Sequence, residues 1–245
     1  MHLLRLFRFF AFSLLFLSIG CQSDDDNGPI TLASLLQNQQ TEEGGVIACA
    51  ASADLNQVFV FYYPEAGADN IRYFESPDAS TAPKDWDSYS EVILETEPVF
   101  NGYLGRFVIS PAQEKWVVVT FEKEGVLHFS NPIRLKQNSQ PTVWHDQVSL
   151  DKNQATMPRF EWAPGPDGLN AIFFQVVTNA QNDLLSGTYT YDSFFRYYDT
   201  SNVVLNVTTQ SPPQLQFGNT YGFTLMAVSL DNWVNTVIEK EFTIP

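Results

Sequence analysis

Leu215-Gln216-Phe217-Gly218-Asn219-Thr220-Tyr221-Gly222-Phe223-Thr224-Leu225-Met226-Ala227-Val228-Ser229 opens on a glycine turn, runs on as alternating apolar residues and closes on an Ala-Val pair. A period of two over this length predicts a β-strand at 220–229. Runs of the same kind surround it, at 143–150, 159–162, 171–178, 187–191, 203–208 and 237–244. Each is rich in Val, Ile, Phe, Tyr and Thr and is broken by Pro, Gly, Asn or Asp.

Further upstream the same reading gives strands at 46–52, 57–63, 71–75, 91–95, 103–109, 115–122 and 126–135. The run 115–122 alternates Trp116, Val118 and Thr120 with Val117, Val119 and Phe121. Both faces are largely apolar, as in a central strand. Glu124-Gly125 then predicts a tight hairpin. Residues 77–89 read as a long loop. The polar, turn-rich stretch 136–140, followed by Pro141, reads as a boundary between two domains. Helical periodicity is nearly absent. The fold class is therefore all-β: two tandem β-sandwiches, at 45–138 and 141–245.

The second of these resembles the fibronectin type III family. In that family a leucine and a glycine turn precede a tyrosine corner, as Leu215, Gly218 and Tyr221 do here. The resemblance implies that the Tyr221 hydroxyl bonds back to nearby backbone and that its ring plugs the end of an immunoglobulin-like sandwich. Phe160-Glu161-Trp162, followed by Ala163-Pro164-Gly165, resembles the second strand and its exit, which implies a core position for Trp162. The first half resembles the same family through 116–121, Gly125 and Ser130-Asn131-Pro132. There Trp116 is the aromatic nearest the corner position.

The N-terminus reads differently. Arg5 and Arg8 precede an apolar run at 9–19, then Gly20 and Cys21. A charged start, a short apolar core and a small residue describe a secretory signal peptide over 1–20. A membrane-spanning anchor is the competing reading, but the run falls short of the roughly 20 residues a span needs. Leu17-Ser18-Ile19-Gly20-Cys21 resembles the lipobox of bacterial lipoproteins, with Leu17 one place further back than usual. The resemblance implies lipidation of Cys21. Gln22, Ser23, Asp24, Asp25 and Asp26 follow. Three adjacent aspartates read as a solvated tether. The same run resembles the surface-export signal of Bacteroidota lipoproteins, which implies the outer face of the outer membrane. Leu32, Leu35 and Leu36 would suit one short amphipathic helical turn. With 21–44 otherwise taken as a flexible acidic tether, its root-mean-square span is about 25 Å.

Composition narrows the function. The chain carries a net charge of −15; losing Arg5 and Arg8 with the signal leaves 11 basic against 28 acidic side chains, or −17. Such a surface repels nucleic acid and anionic membranes. Cys49 would stand alone once Cys21 is lipidated, as a small buried thiol. After loss of His2, only His128 and His145 remain, neither with a partner at metal spacing and neither in a nucleophile motif. Asp54, Asp69-Asn70, Asp85 with Asp87, and Asp231-Asn232 read as turn formers, with loop calcium as the alternative. No cofactor, metal or catalytic group is expected.

Aromatic residues are the remaining lead. Trp86 and Tyr89, Tyr197 and Tyr198, and Trp233 fall in expected loops or edges. Two readings are open for each cluster: completion of a core, or exposed contact area for a partner. The expectation is a non-enzymatic, lipid-anchored outer-membrane surface protein. Its membrane contact is the N-terminal lipid and its partner an outer-membrane protein bound as by a scaffold. The alternative is a glycan-binding accessory lipoprotein of a polysaccharide-uptake system.

Overall fold

A computed structural model describes residues 29–245 apart from Asn38, Ala155 and Thr209. The chain is all-β. After a short helix, α1 (Leu32–Leu36), the first half builds β1 (Gln40–Val46), β2 (Ala48–Ser52), β3 (Val58–Tyr62), β4 (Asp69–Glu75), β5 (Ser90–Val92), β6 (Thr96–Val99), β7 (Leu104–Ile109), β8 (Trp116–Lys123), β9 (Val126–Ser130) and β10 (Ile133–Arg134). The second half builds β11 (Val143–His145), β12 (Ser149–Asp151), β13 (Arg159–Glu161), β14 (Ile172–Asn179), β15 (Leu184–Thr190), β16 (Phe194–Arg196), β17 (Val203–Asn206), β18 (Thr220–Val228) and β19 (Val234–Thr243).

These strands form four sheets. In the first sandwich, β1-β9-β8-β4-β5, with β10 beside β8, faces β2-β3-β7-β6; in the second, β12-β13-β16 faces β11-β19-β18-β14-β15-β17. The predicted Glu124-Gly125 hairpin joins β8 to β9, with both residues at positive φ. That conformation is the one a two-residue connection between twisted strands requires. The second core is aromatic: Phe160 stacks on Phe223 at 4.0 Å and meets Phe242 edge-on at 5.2 Å. Trp162 is buried edge-on to Phe173. Tyr221 is buried, and its hydroxyl accepts the Gln216 N–H at 2.8 Å.

The two sandwiches are fused face to face. Alternate residues of β3 serve two cores: Val58, Val60 and Tyr62 point into the first sandwich, Phe59 and Phe61 toward the second. On β14, Phe173 and Val177 enter the second core, whereas Phe174 and Val176 meet Cys49, Ala51, Phe61 and Leu104 of the first half. Two sheets are thus covered on both faces, which is why their strands read as apolar throughout. The outcome is a four-layer stack with three apolar seams. The stretch expected to be a polar linker is packed: Gln137 is fully buried, and the Gln140 carbonyl accepts the Trp233 indole N–H at 2.8 Å.

Polar bonds hold the same seam. Ser52 and Thr142 exchange backbone N–H to hydroxyl bonds in both directions, at 2.9 and 2.8 Å. Ala50 N–H donates to the Asn232 carbonyl and Arg134 N–H to the Asp231 carbonyl. The Tyr103 hydroxyl donates to the Val207 carbonyl at 2.7 Å.

The N-terminal segment differs from expectation. Thr31 caps α1 through the Ser34 N–H, and Leu32 is fully buried against Phe74, Tyr89, Val118 and Phe129. Ile30 and Leu32 bond to the backbone of Glu91 and Tyr89. β1 then pairs in parallel with β9. Residues from Ile30 onward therefore belong to the folded body, within what reads as tether. Side chains of Gln40 to Glu43 are exposed; pairing to β9, the Glu43–Lys84 ion pair, the Glu42–His128 contact and burial of Val46 hold the strand, and a polar start carries little signal for that.

Cys49 lies in the inter-sandwich seam. Burial pushes its thiol from the ordinary 9.0 up to about 12. At pH 8 the folded chain should expose about a thousandfold less thiolate than a free cysteine would. Reaction with a thiol-selective reagent should therefore wait for unfolding, and prompt labelling of the native protein would show the seam to be open. A thiol pKa raised by folding also subtracts stability as pH climbs from 9.0 toward about 12.

Candidate functional site

The aromatic residues expected at the surface divide. Tyr89 is fully buried beneath α1, and its hydroxyl donates to the Pro83 carbonyl at 2.7 Å. Tyr197 is fully buried in the second core, with its hydroxyl on the Pro213 carbonyl at 2.6 Å. Trp233 is fully buried, and it fills the core of the other sandwich. These three are corrected from binding residues to core residues. In each case the covering element is remote in sequence. Trp86 is half-buried, edge-on to Phe129. Tyr198 is 49 % exposed, at positive φ. Trp116 is half-buried beneath the Arg134 guanidinium, 5.7 Å from the ring centroid. Cys21 and residues 22–26 lie outside the described residues.

Titratable groups serve local structure. Asp54 accepts the N–H groups of Asn56 and Gln57, Asp85 accepts the Ser88 hydroxyl, and Asp231 pairs with Lys136 at 2.6 Å. His145 accepts the Gln147 N–H, and His128 lies 3.1 Å from a Glu42 carboxylate oxygen. Among the described residues, no three His, Cys, Asp or Glu side chains converge as metal ligands would.

Two surface features remain. The first is a corner at the edge formed by β15 and β17, where Val204 and Leu205 are exposed, with Tyr191 exposed just past β15 and Tyr198 between β16 and β17. Three other strand edges are blunted. β6 carries Pro98, β5 is met by the backbone of Ile30 and Leu32, and β2 is covered by Asn232 and Trp233. β17 itself is four residues long and bulged opposite Tyr189 and Thr190. Such devices discourage pairing with foreign strands. Contact at this corner is thereby left to side chains.

The second feature is a cleft of about 540 Å³ where the facing sheets of the two sandwiches splay apart. Phe61, Val99 and Arg106 wall it on one side. Its floor is the bare end of β14, β18 and β19, in two cross-strand rows: Thr224 beside Glu239, and Thr178, Gly222 and Glu241. Trp144 closes one end, with its indole N–H on the Ser52 carbonyl at 2.8 Å. Arg106 is paired with Glu97 at 2.8 Å, and Lys240 with Asp146 at 3.4 Å. Trp144 reads from sequence only as a neighbour of His145; nothing local marks it as the end wall of a cleft.

No protein-family model matches the chain, and no curated protein matches it. Among solved structures it is similar to a cytokine receptor complex, at 13% identity and a TM-score of 0.30, over 81% of this chain and 96% of the other.

Proposed function

We propose that the protein is a non-enzymatic, lipid-anchored module of the bacterial outer-membrane surface that holds a partner protein there. Cys21 carries the anchor, and the acidic residues after it direct the chain outward. Nine residue steps separate Cys21 from Ile30, and whatever their path they span at most about 30 Å. The block works close to the membrane, and its two sandwiches move as one.

The observation that supports docking of a protein is the corner of Tyr191, Tyr198, Val204 and Leu205. Exposed tyrosines beside aliphatic residues make contact area at low entropic cost, as at interface centres. A double variant, Tyr191→Ser with Leu205→Glu, alters only exposed side chains and should leave the fold intact. In crosslinked outer membranes, wild-type bait should retain a specific protein partner that the double variant loses at least tenfold, about 1.4 kcal/mol. Equal recovery by both baits would remove this corner as the docking surface.

A further inference from the structure

We infer that the cleft between the sandwiches is a binding site for a short, neutral oligosaccharide, separate from the protein-docking corner. Trp144 and Leu205 stand in one cross-strand row, through Val237, Met226, Phe174 and Tyr189, at opposite edges of the six-stranded sheet. Five strand spacings part them, about 24 Å.

The floor offers polar groups to a ligand. Thr178 is only 6% exposed, lines the cleft and takes up no hydrogen bond among the described residues. Its neighbour across the strand pair is Gly222. A β-carbon at Gly222 would stand 2.6 Å from the Thr178 hydroxyl oxygen. Glycine here keeps that hydroxyl open to the cleft, where water or a ligand hydroxyl can bond it.

The remaining chemistry narrows the ligand class. Trp144 is 38% exposed, and its N–H is already spent on Ser52, so the indole is fixed and offers its apolar surface. From its row to that of Glu241 is four residues of β19, about 13 Å. Along that length lie hydroxyls, two carboxylates without an ion-pair partner among the described residues, and the guanidinium of Arg106. A sugar presents an apolar C–H face for an indole and a rim of hydroxyls that both donate and accept. An extended peptide on this floor would lie across a sheet face, whose backbone groups already pair within the ladder. Polyanions are opposed by Glu239 and Glu241.

The test titrates full-length protein, solubilised in detergent, with linear hexasaccharides of glucose, xylose, mannose and N-acetylglucosamine, and with a heparin hexasaccharide. Calorimetry should find saturable binding of at least one neutral sugar at millimolar concentration or below. Trp144→Ala should weaken it at least tenfold. Glu239→Gln with Glu241→Gln, both exposed and outside the core, should weaken it several-fold without shifting the thermal midpoint. Leu205→Glu should leave it unchanged, which separates this site from partner docking. Binding of none of the neutral sugars, preference for heparin, or binding undiminished in both cleft variants would overturn the inference.

Discussion

Replacing Trp233 with alanine should cost about 3–5 kcal/mol, the range for removing a large aromatic side chain from a packed core. Trp233 sits just after the Asp231-Asn232 turn that leads from β18 toward β19, in the second sandwich. Its ring is fully buried among Ala50, Val46, Ile133 and Leu135 of the first. Its indole N–H is satisfied by Gln140, and its backbone bridges to Ala50. Alanine removes the ring from one core and orphans the Gln140 carbonyl between the two. Both effects act at the seam, so the variant should lose coupling as well as stability. Urea titration measures the first, and the spread between probes in the two halves measures the second. A loss below about 1 kcal/mol would mean that the ring is a surface residue after all. Trp86→Ala makes the comparison: that ring is half-buried over one sheet, and its loss should cost less.

Replacing Cys21 with serine should move the protein wholly from the membrane fraction to the soluble fraction. The anchor proposed here is acyl chain, and each buried methylene contributes about 0.8 kcal/mol, so more than one chain on the cysteine gives stable anchoring where a single chain would be marginal. Among the described residues no helix is long and apolar enough to cross a membrane, and a net charge of −17 without the signal opposes adsorption to anionic lipid. The serine variant should therefore appear in the supernatant of lysed cells at any ionic strength. Persistence in washed membranes would defeat the lipid assignment. Protease treatment of intact cells then reads the outward orientation, since a periplasm-facing protein would survive it.

The strands legible in the sequence were those whose signal is local. β8, β14 and β18 announce themselves by alternation, and the Glu124-Gly125 hairpin by its turn residues. Trp162 and Tyr221 lie in the core where the fibronectin-like pattern implies. The start of β1 was illegible because Gln40 to Glu43 are exposed; it is held by backbone bonds to β9 and by surface charge pairs, which leave no apolar trace. Tyr89, Tyr197 and Trp233 misled because each sits in or beside a turn and is buried by something distant: α1, the 213 carbonyl segment, and the other sandwich. One hint of the fused architecture was available. It lies in 171–178, where Phe173 and Val177 alternate with Phe174 and Val176, so both faces need cover and a lone sandwich covers only one; the same pattern in 115–122 reports the cover of α1 instead. Trp144 gave no such hint, since its place depends on Ser52, 92 residues away.

The most direct test of the fused body is scanning calorimetry of the full chain in its Cys21→Ser form. A four-layer stack sharing one apolar seam should unfold in a single transition whose calorimetric and van't Hoff enthalpies agree. Two separable transitions, or a calorimetric enthalpy about twice the van't Hoff value, would show two sandwiches melting independently and would contradict it.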